Sequence, residues 1–305
     1  MSVKNWLKKS KAIVLAYEFL LKNYFRMLTL ISPRLNTKMR YKRAFKRPLN
    51  LDNPTTLNEK NLKLKLERYA NDPLVKQCAD KYAVREYIKG KGCEDILVKL
   101  IASYDRVDDI DFDALPNQFA MKWNFGCGFN IICSDKSKLD IDEVKKKMKR
   151  WSRSKQYLDY SEMQYKGVEK KIIVEEYLKP KNGLLPEDYK VYCFHGEPMF
   201  ILVCVGREQG GHPKFYFFDK DWNLARINRD SKNAPEGFSI EKPRCLDKLL
   251  DSARKLSEPF PFVRADFYIV NDKVYFGELT FTPAAALDAA RLPETDLMMG
   301  SLLKI

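Results

Sequence analysis

Two periods of hydrophobic and polar alternation run along this chain, and the places where one gives way to the other mark its elements. Near the C-terminus, Phe262-Val263-Arg264-Ala265-Asp266-Phe267-Tyr268-Ile269-Val270 is aromatic and β-branched. Asn271-Asp272-Lys273 has turn chemistry, and Val274-Tyr275-Phe276-Gly277-Glu278-Leu279-Thr280 returns as a second strand. A three-residue loop pairs Val270 with Val274, Tyr268 with Phe276, Asp266 with Glu278 and Arg264 with Thr280. Two carboxylates then face each other, which like-charge repulsion disfavours unless a cation sits between them. Hard oxygen ligands with room for phosphate oxygens describe a Mg²⁺ site that holds a nucleotide. A two-residue loop would instead slip the register and send Glu278 to the opposite face, leaving two surface acids.

Upstream, Asn53-Pro54-Thr55-Thr56-Leu57-Asn58-Glu59 is a breaker followed by a capping signal, with Thr56 or Asn58 as the cap of a helix running to about Tyr69. The pattern predicts a second helix from about Pro73 to Lys89, strands at Ile96–Ile101 and Phe119–Trp123, and a charged helix over Ile141–Lys155. A short buried strand, Ile172-Ile173-Val174, enters Glu175-Glu176-Tyr177-Leu178. Tyr189–Phe194, Met199–Val205 and Lys214–Phe218 read as an antiparallel series turning at His195-Gly196-Glu197-Pro198, and a helix near Cys245–Leu256 precedes the acidic hairpin. No internal repeat or low-complexity segment is present. Helices interrupting mixed sheets imply an α+β architecture.

Length and composition narrow the class. At 305 residues with 45% apolar content the chain has enough material for several lobes. The net charge of +14 belongs to one end: residues 1–50 carry 13 Lys/Arg and one acid, leaving 42 bases against 40 acids. Seven scattered cysteines with no C-x-x-C pair argue against zinc or a disulfide framework and for a reducing cytosol.

Within the basic end, residues 12–31 are as long as a membrane span but carry Glu18, Lys22 and Arg26 at four-residue spacing along one helix side. Three charges make spanning costly. Two roles remain open: an interfacial helix, flanked by Lys8-Lys9-Lys11 and Arg40-Lys42-Arg43-Lys46-Arg47 facing anionic lipid, or a helix packed on a core or a partner. No nucleic-acid-reading module follows it, so nucleic acid is not an expected partner.

Met121-Lys122-Trp123-Asn124-Phe125-Gly126-Cys127-Gly128-Phe129-Asn130 places a lysine at a strand end and two glycines after it, suited to turning backbone N–H groups toward an anion. It matches neither a Walker loop nor a dinucleotide fingerprint, and a plain glycine-containing hairpin is the alternative. Together with Lys81, Lys190, Arg207, Arg264 and the acidic pair, it supplies the charges a Mg²⁺-triphosphate needs.

The order of these motifs resembles the ATP-grasp superfamily, and their phrasing resembles its TupA-like branch, associated with teichuronopeptide and capsular polysaccharide biosynthesis. The resemblance covers roughly residues 50–290 and implies two α/β lobes clasping ATP, with a basic amphipathic N-terminal extension. It divides the chain into an arm (1–48), an N-terminal lobe (49–115), a central lobe with a glycine-rich flap (116–178) and a C-terminal lobe with the metal site (179–305). It makes Lys81 and Lys122 phosphate contacts, with Asn124, Gly126 and Gly128 in the flap. Glu175, Glu176, Tyr177 and Leu178 become the adenine hinge. Asp188 and Lys190 lie on the strand of the D-x-[RK] pattern, and Arg207 takes the place of a phosphate-contacting arginine. Asp266, Glu278 and Thr280 match the D…E-x-N metal motif for Mg²⁺ or Mn²⁺, with Thr280 where most of the superfamily has Asn.

The implied chemistry is carboxylate–amine ligation with Arg264, Arg207 and Lys190 as the catalytic cations, a structural ion pair with nearby acids being the alternative for Arg264 and Arg207. Lys190 has the alternative of pairing with Asp188 or Glu187. The branch's associations suggest amidation of a uronic acid in a surface polysaccharide, or in a sugar-nucleotide or lipid-linked precursor, by an amino acid at the inner face of a bacterial membrane. Gly206–His212 is a candidate lid, with a disordered surface loop as the alternative. Rival readings are a polysaccharide-biosynthesis glycosyltransferase, for which Asp109-Ile110-Asp111, running on into Asp113, is an Asp-x-Asp-type candidate, a sugar kinase using the same ATP site, and a membrane-anchored scaffold with a degenerate nucleotide site.

Overall fold

The computed structural model describes residues 11–180, 186–206 and 213–305. Helix α1 (Lys11–Ile31) and helix α2 (Pro33–Phe45) form the basic arm. Helix α3 (Leu57–Leu64) starts at Thr56, whose side chain accepts from the Glu59 N–H while the Glu59 carboxylate takes the Thr56 N–H. It runs on through a wider π turn, Lys65–Tyr69. The stretch expected as one helix is two, α4 (Pro73–Ala79) and α5 (Val84–Gly90). Asp80 separates them, because its carboxylate captures the N–H groups of Tyr82 and Ala83 in place of helical carbonyls.

Strands β1 (Leu100–Tyr104), β2 (Phe119–Trp123), β3 (Asn130–Cys133) and β4 (Ile172–Glu176) make an antiparallel sheet in the order β1-β4-β2-β3. The first strand therefore begins four residues later than Ile96, which sits in a 3₁₀ turn. Between β3 and β4, α6 (Ile141–Ser152) covers the sheet with Val144 and Met148, and the short α7 (Tyr157–Tyr160) follows.

The second sheet contains β5 (Glu187–Phe194), β6 (Glu197–Val205), β7 (Lys214–Asp219), β8 (Leu224–Ala225), β9 (Phe262–Val270) and β10 (Lys273–Thr280), ordered β10-β9-β5-β6-β7-β8. Helix α8 (Arg229–Lys232) caps the β7 edge and α9 (Leu246–Ser257) packs on β5, β6 and β9. The chain closes with α10 (Pro293–Leu302) against α3. The largest core joins this sheet to α4, α5 and α9, so the helices that flank the turn bearing Lys81 are held to the sheet bearing the acidic hairpin.

Candidate active site

The acidic hairpin turns in two residues, not three. Asn271 and Asp272 both take positive φ (53° and 61°), as a two-residue turn matched to strand twist requires, and Lys273 pairs with Val270. Tyr275 then faces Tyr268 and Phe276 faces Phe267, the slipped register that would separate the acids. A bulge at Gly277 restores it: Glu278 pairs with Asp266 and Thr280 with Arg264. A Cβ on Gly277 would lie 3.0 Å from the Asp266 carbonyl oxygen, so the bulge depends on glycine.

The neighbouring β5 register sets Lys190 opposite Asp266, giving one row of charge across three strands. Arg264 donates to both Asp266 oxygens, Nε to Oδ1 at 2.7 Å and Nη2 to Oδ2 at 2.6 Å. Lys190 donates to Asp266 Oδ2 at 3.1 Å and to Asp188 Oδ1 at 2.8 Å, so its expected pairing with Asp188 exists and is shared. Thr280 Oγ1 donates to Glu278 Oε1 at 2.9 Å. Burial pushes the Asp266 carboxyl upward against Arg264 and Lys190, while Lys190, despite its own burial, is held above its usual range by Asp266 foremost and by Asp188. Glu278 goes the other way: desolvation opposes ionisation, but Lys81 and Arg264 prevail and draw it down to about 2.

Lys81 and the flap meet this row from the other side. The Lys81 ammonium lies 3.4 Å from Glu278 Oε2 and donates to the Gly126 carbonyl at 2.8 Å. Gly126 and Gly128 both have positive φ (71° and 77°), and a Cβ on Gly126 would strike Gln156 Oε1 at 2.6 Å. Gln156 braces the loop by accepting the Cys127 N–H at 2.8 Å. Asn124 is fully buried in the flap base, donating to Asp80 and to the Glu169 carbonyl and accepting from the Lys171 N–H.

Two cavities flank this junction. The smaller, about 280 Å³, lies between the sheets and is lined by Lys122, Glu175, Glu176, Tyr177, Leu178 and Tyr268, among others. Lys122 is 2.7 Å from Glu175 Oε2, and Arg85 takes the other oxygen at 3.3 Å. The larger, about 610 Å³, is lined by the flap residues Gly126 and Cys127, by Arg264, Glu278 and Thr280, and by Glu162, Tyr165 and Thr282, among others. Arg207 and the Arg207–His212 part of the candidate lid lie outside the described residues.

Several lining groups are ones the sequence did not single out. Glu162 accepts from Thr282 Oγ1 at 2.5 Å, and burial, with Asp159 and Glu278 nearby, raises its carboxyl pKa against Lys65. Ala284, Ala285 and Ala286 all take positive φ (50°, 57° and 56°), a left-handed turn that L-residues adopt at a cost of about 1–2 kcal/mol each. Ala284 and Ala285 line the large cavity.

The donor set suits a hard divalent cation. Two carboxylates and a hydroxyl supply oxygens only, and a carboxylate has about four acceptor positions. Three donors occupy Asp266 and leave room for one more bond, whereas Glu278 meets one hydroxyl and one ammonium and is 40% exposed toward the cavity. Among the described residues no group of three or more His, Cys, Asp or Glu side chains is placed to hold a metal unaided, so phosphate oxygens or water would complete the shell.

The family model for TupA-like ATPgrasp matches residues 60–304. Curated protein sequences give no match. Similar solved structures include a D-alanine–D-alanine ligase from Bacillus anthracis, 16% identical over 73% of this chain and 63% of that one (TM-score 0.43). A structure of that ligase complexed with ATP is 13% identical over 78% and 74% (TM-score 0.44). D-cycloserine synthetase DcsG is 10% identical over 81% and 78% (TM-score 0.45). The chain thus spans under two thirds of the first of these.

Proposed function

Because this chain belongs to the TupA-like ATP-grasp family, we propose that it is an ATP-dependent carboxylate–amine ligase working through an acyl phosphate. The observation that carries this is the convergence of Lys81 from the α4–α5 turn, the glycine flap and the Asp266–Glu278 row between two cavities. The adenine is assigned to the smaller cavity, against the backbone of Glu175–Leu178, with Lys122 and Lys81 along the phosphates and Arg207, by its place in the motif order, beside them. Asp266, Glu278 and Thr280 would hold Mg²⁺ or Mn²⁺, which when bound neutralises triphosphate charge. Arg264 orients the acceptor carboxylate beside the γ-phosphoryl group, with Lys190 fixing Asp266 behind it. A carboxylate oxygen takes the phosphoryl group as ADP departs. The amine then attacks the carbonyl carbon, loses a proton and expels phosphate. Glu162, a carboxylate facing the same cavity, receives that amine.

The same reading assigns the lobes to residues 49–115, 116–178 and 179–305, with 1–48 as the arm. The acceptor we assign is a uronic acid of a surface glycan or of its precursor, and the amine an amino acid; a cavity of about 610 Å³ accommodates both. Among the described residues no helix is long and apolar enough to cross a membrane. Lys22 and Arg26 turn inward to Asp159 on α7, leaving Phe19, Leu20, Met27, Leu30 (71% exposed) and Ile31 (72%) outward. Such a face, with α2's cations beside it, supports docking on the inner membrane surface. Lys8 and Lys9 lie outside the described residues.

ADP release measured against a panel of uronic acids and amino acids tests the ligase. Release that requires both substrates supports it. Release with a hydroxyl acceptor alone would make the protein a kinase, and sugar transfer from a nucleotide sugar without ADP formation a glycosyltransferase.

A further inference from the structure

A second groove of about 350 Å³ opens beside the large cavity and shares Ser154 and Lys155 with it. Its wall carries four cations, Arg26, Arg150, Arg153 and Lys155, around the stacked rings of Phe129 and Trp151 (centroids 5.7 Å apart, planes at 27°). On α6, Lys147 and Lys149 find carboxylates in Glu143 and Asp108. Among the described residues, no carboxylate comes within 4.0 Å of Arg150, Arg153 or Lys155, and only Arg26 is paired, with Asp159. Favourable charge at a helix C-terminus accounts for Arg150, but Arg153 and Lys155 lie beyond the last helical residue, Ser152. Three uncompensated cations in a concave groove that also holds two aromatic rings raise the local anion concentration, and guanidinium forks match phosphate oxygens in pairs. The groove also touches α1 through Arg26, the helix with the outward apolar face.

We infer that this groove binds a phosphate or pyrophosphate group on the acceptor substrate, so that the acceptor's carboxylate reaches Arg264 through the large cavity while its phosphorylated end stays beside α1. The identity of the acceptor rests on the ligase reading; the anion site stands on its own residues. Inorganic pyrophosphate is titrated calorimetrically into the full chain with the nucleotide site saturated by a non-hydrolysable ATP analogue and Mg²⁺. The expected result is binding that weakens about tenfold or more in Arg150→Glu/Arg153→Glu, and also with rising salt. Both side chains are exposed. Should the double reversal lower the melting temperature, Arg153→Ala supplies the same comparison. Sedimentation with vesicles bearing phosphomonoester headgroups separates the sources: variant-sensitive binding to vesicles but not to pyrophosphate assigns a lipid carrier, and the reverse a soluble one. Equal binding of both probes by variant and wild type, or binding of neither by wild type, overturns the proposal. Stabilisation of the wild type by ATP and Mg²⁺ is read in parallel, and its absence counts against the ligase reading without touching the groove.

Discussion

Asp266 and Glu278 share a sheet face only because Gly277 interrupts the ladder between them. Gly277→Ala is expected to close that arrangement off, since its Cβ meets the Asp266 carbonyl. Crowding of this kind costs about 1–3 kcal/mol. Denaturant unfolding should show that loss, together with loss of Mg²⁺-dependent ATP stabilisation; an unchanged midpoint would contradict it. Buried Lys65, which donates to the Tyr160 carbonyl, makes a pH prediction. Desolvation lowers its pKa from 10.5 to about 8. Between those values the unfolded chain holds more protons, so this group makes stability rise with pH from about 8 to 10.5. Lys65→Met should flatten that rise relative to wild type in urea unfolding at pH 8 and pH 10; parallel profiles would refute it. The acids, lysines and glycines of the site were legible because their residue types carry the chemistry. Glu162 and Gln156 were not, since each is a single polar residue in a polar stretch whose partners, Thr282 and the Cys127 N–H, come from distant sequence.

Among elements, the hairpin shows how two sequence signals can conflict. Asn271-Asp272 specifies a two-residue turn, the acids specify facing positions, and only a bulge satisfies both. Alternation alone gave both strands but not the bulge. Pro73 to Lys89 read as one helix because an Asx turn at Asp80 leaves the hydrophobic period nearly intact. The turn at Ala284–Ala286 had no signal, because alanine favours the right-handed helix and nothing in the residue type marks a left-handed one. Helix α1 is bolted to α7 by Arg26–Asp159 and by Thr29, which donates to the Leu158 carbonyl at 2.7 Å. Replacing outward residues, as in Phe19→Asp/Leu20→Asp, should leave the melting temperature within about 1 °C while lowering binding to anionic vesicles about tenfold or more. Vesicle sedimentation checks this, and undiminished binding would remove α1 as the docking face.

At the scale of the whole molecule, the two sheets meet at a junction flanked by a cavity of about 280 Å³ and one of about 610 Å³. Glu162 lines the larger cavity together with Arg264, and Glu162→Gln should raise the amine KM by about tenfold or more with a smaller effect on ATP binding. Steady-state kinetics with each substrate varied separates the two, and an effect on ATP alone would misplace the amine. The most direct test of the account is calorimetric titration of Mg²⁺ and a non-hydrolysable ATP analogue into wild type and Glu278→Gln. The account predicts Mg²⁺-dependent nucleotide binding in the wild type that falls at least about a hundredfold in the variant. Equal, Mg²⁺-independent affinity in both proteins would contradict it.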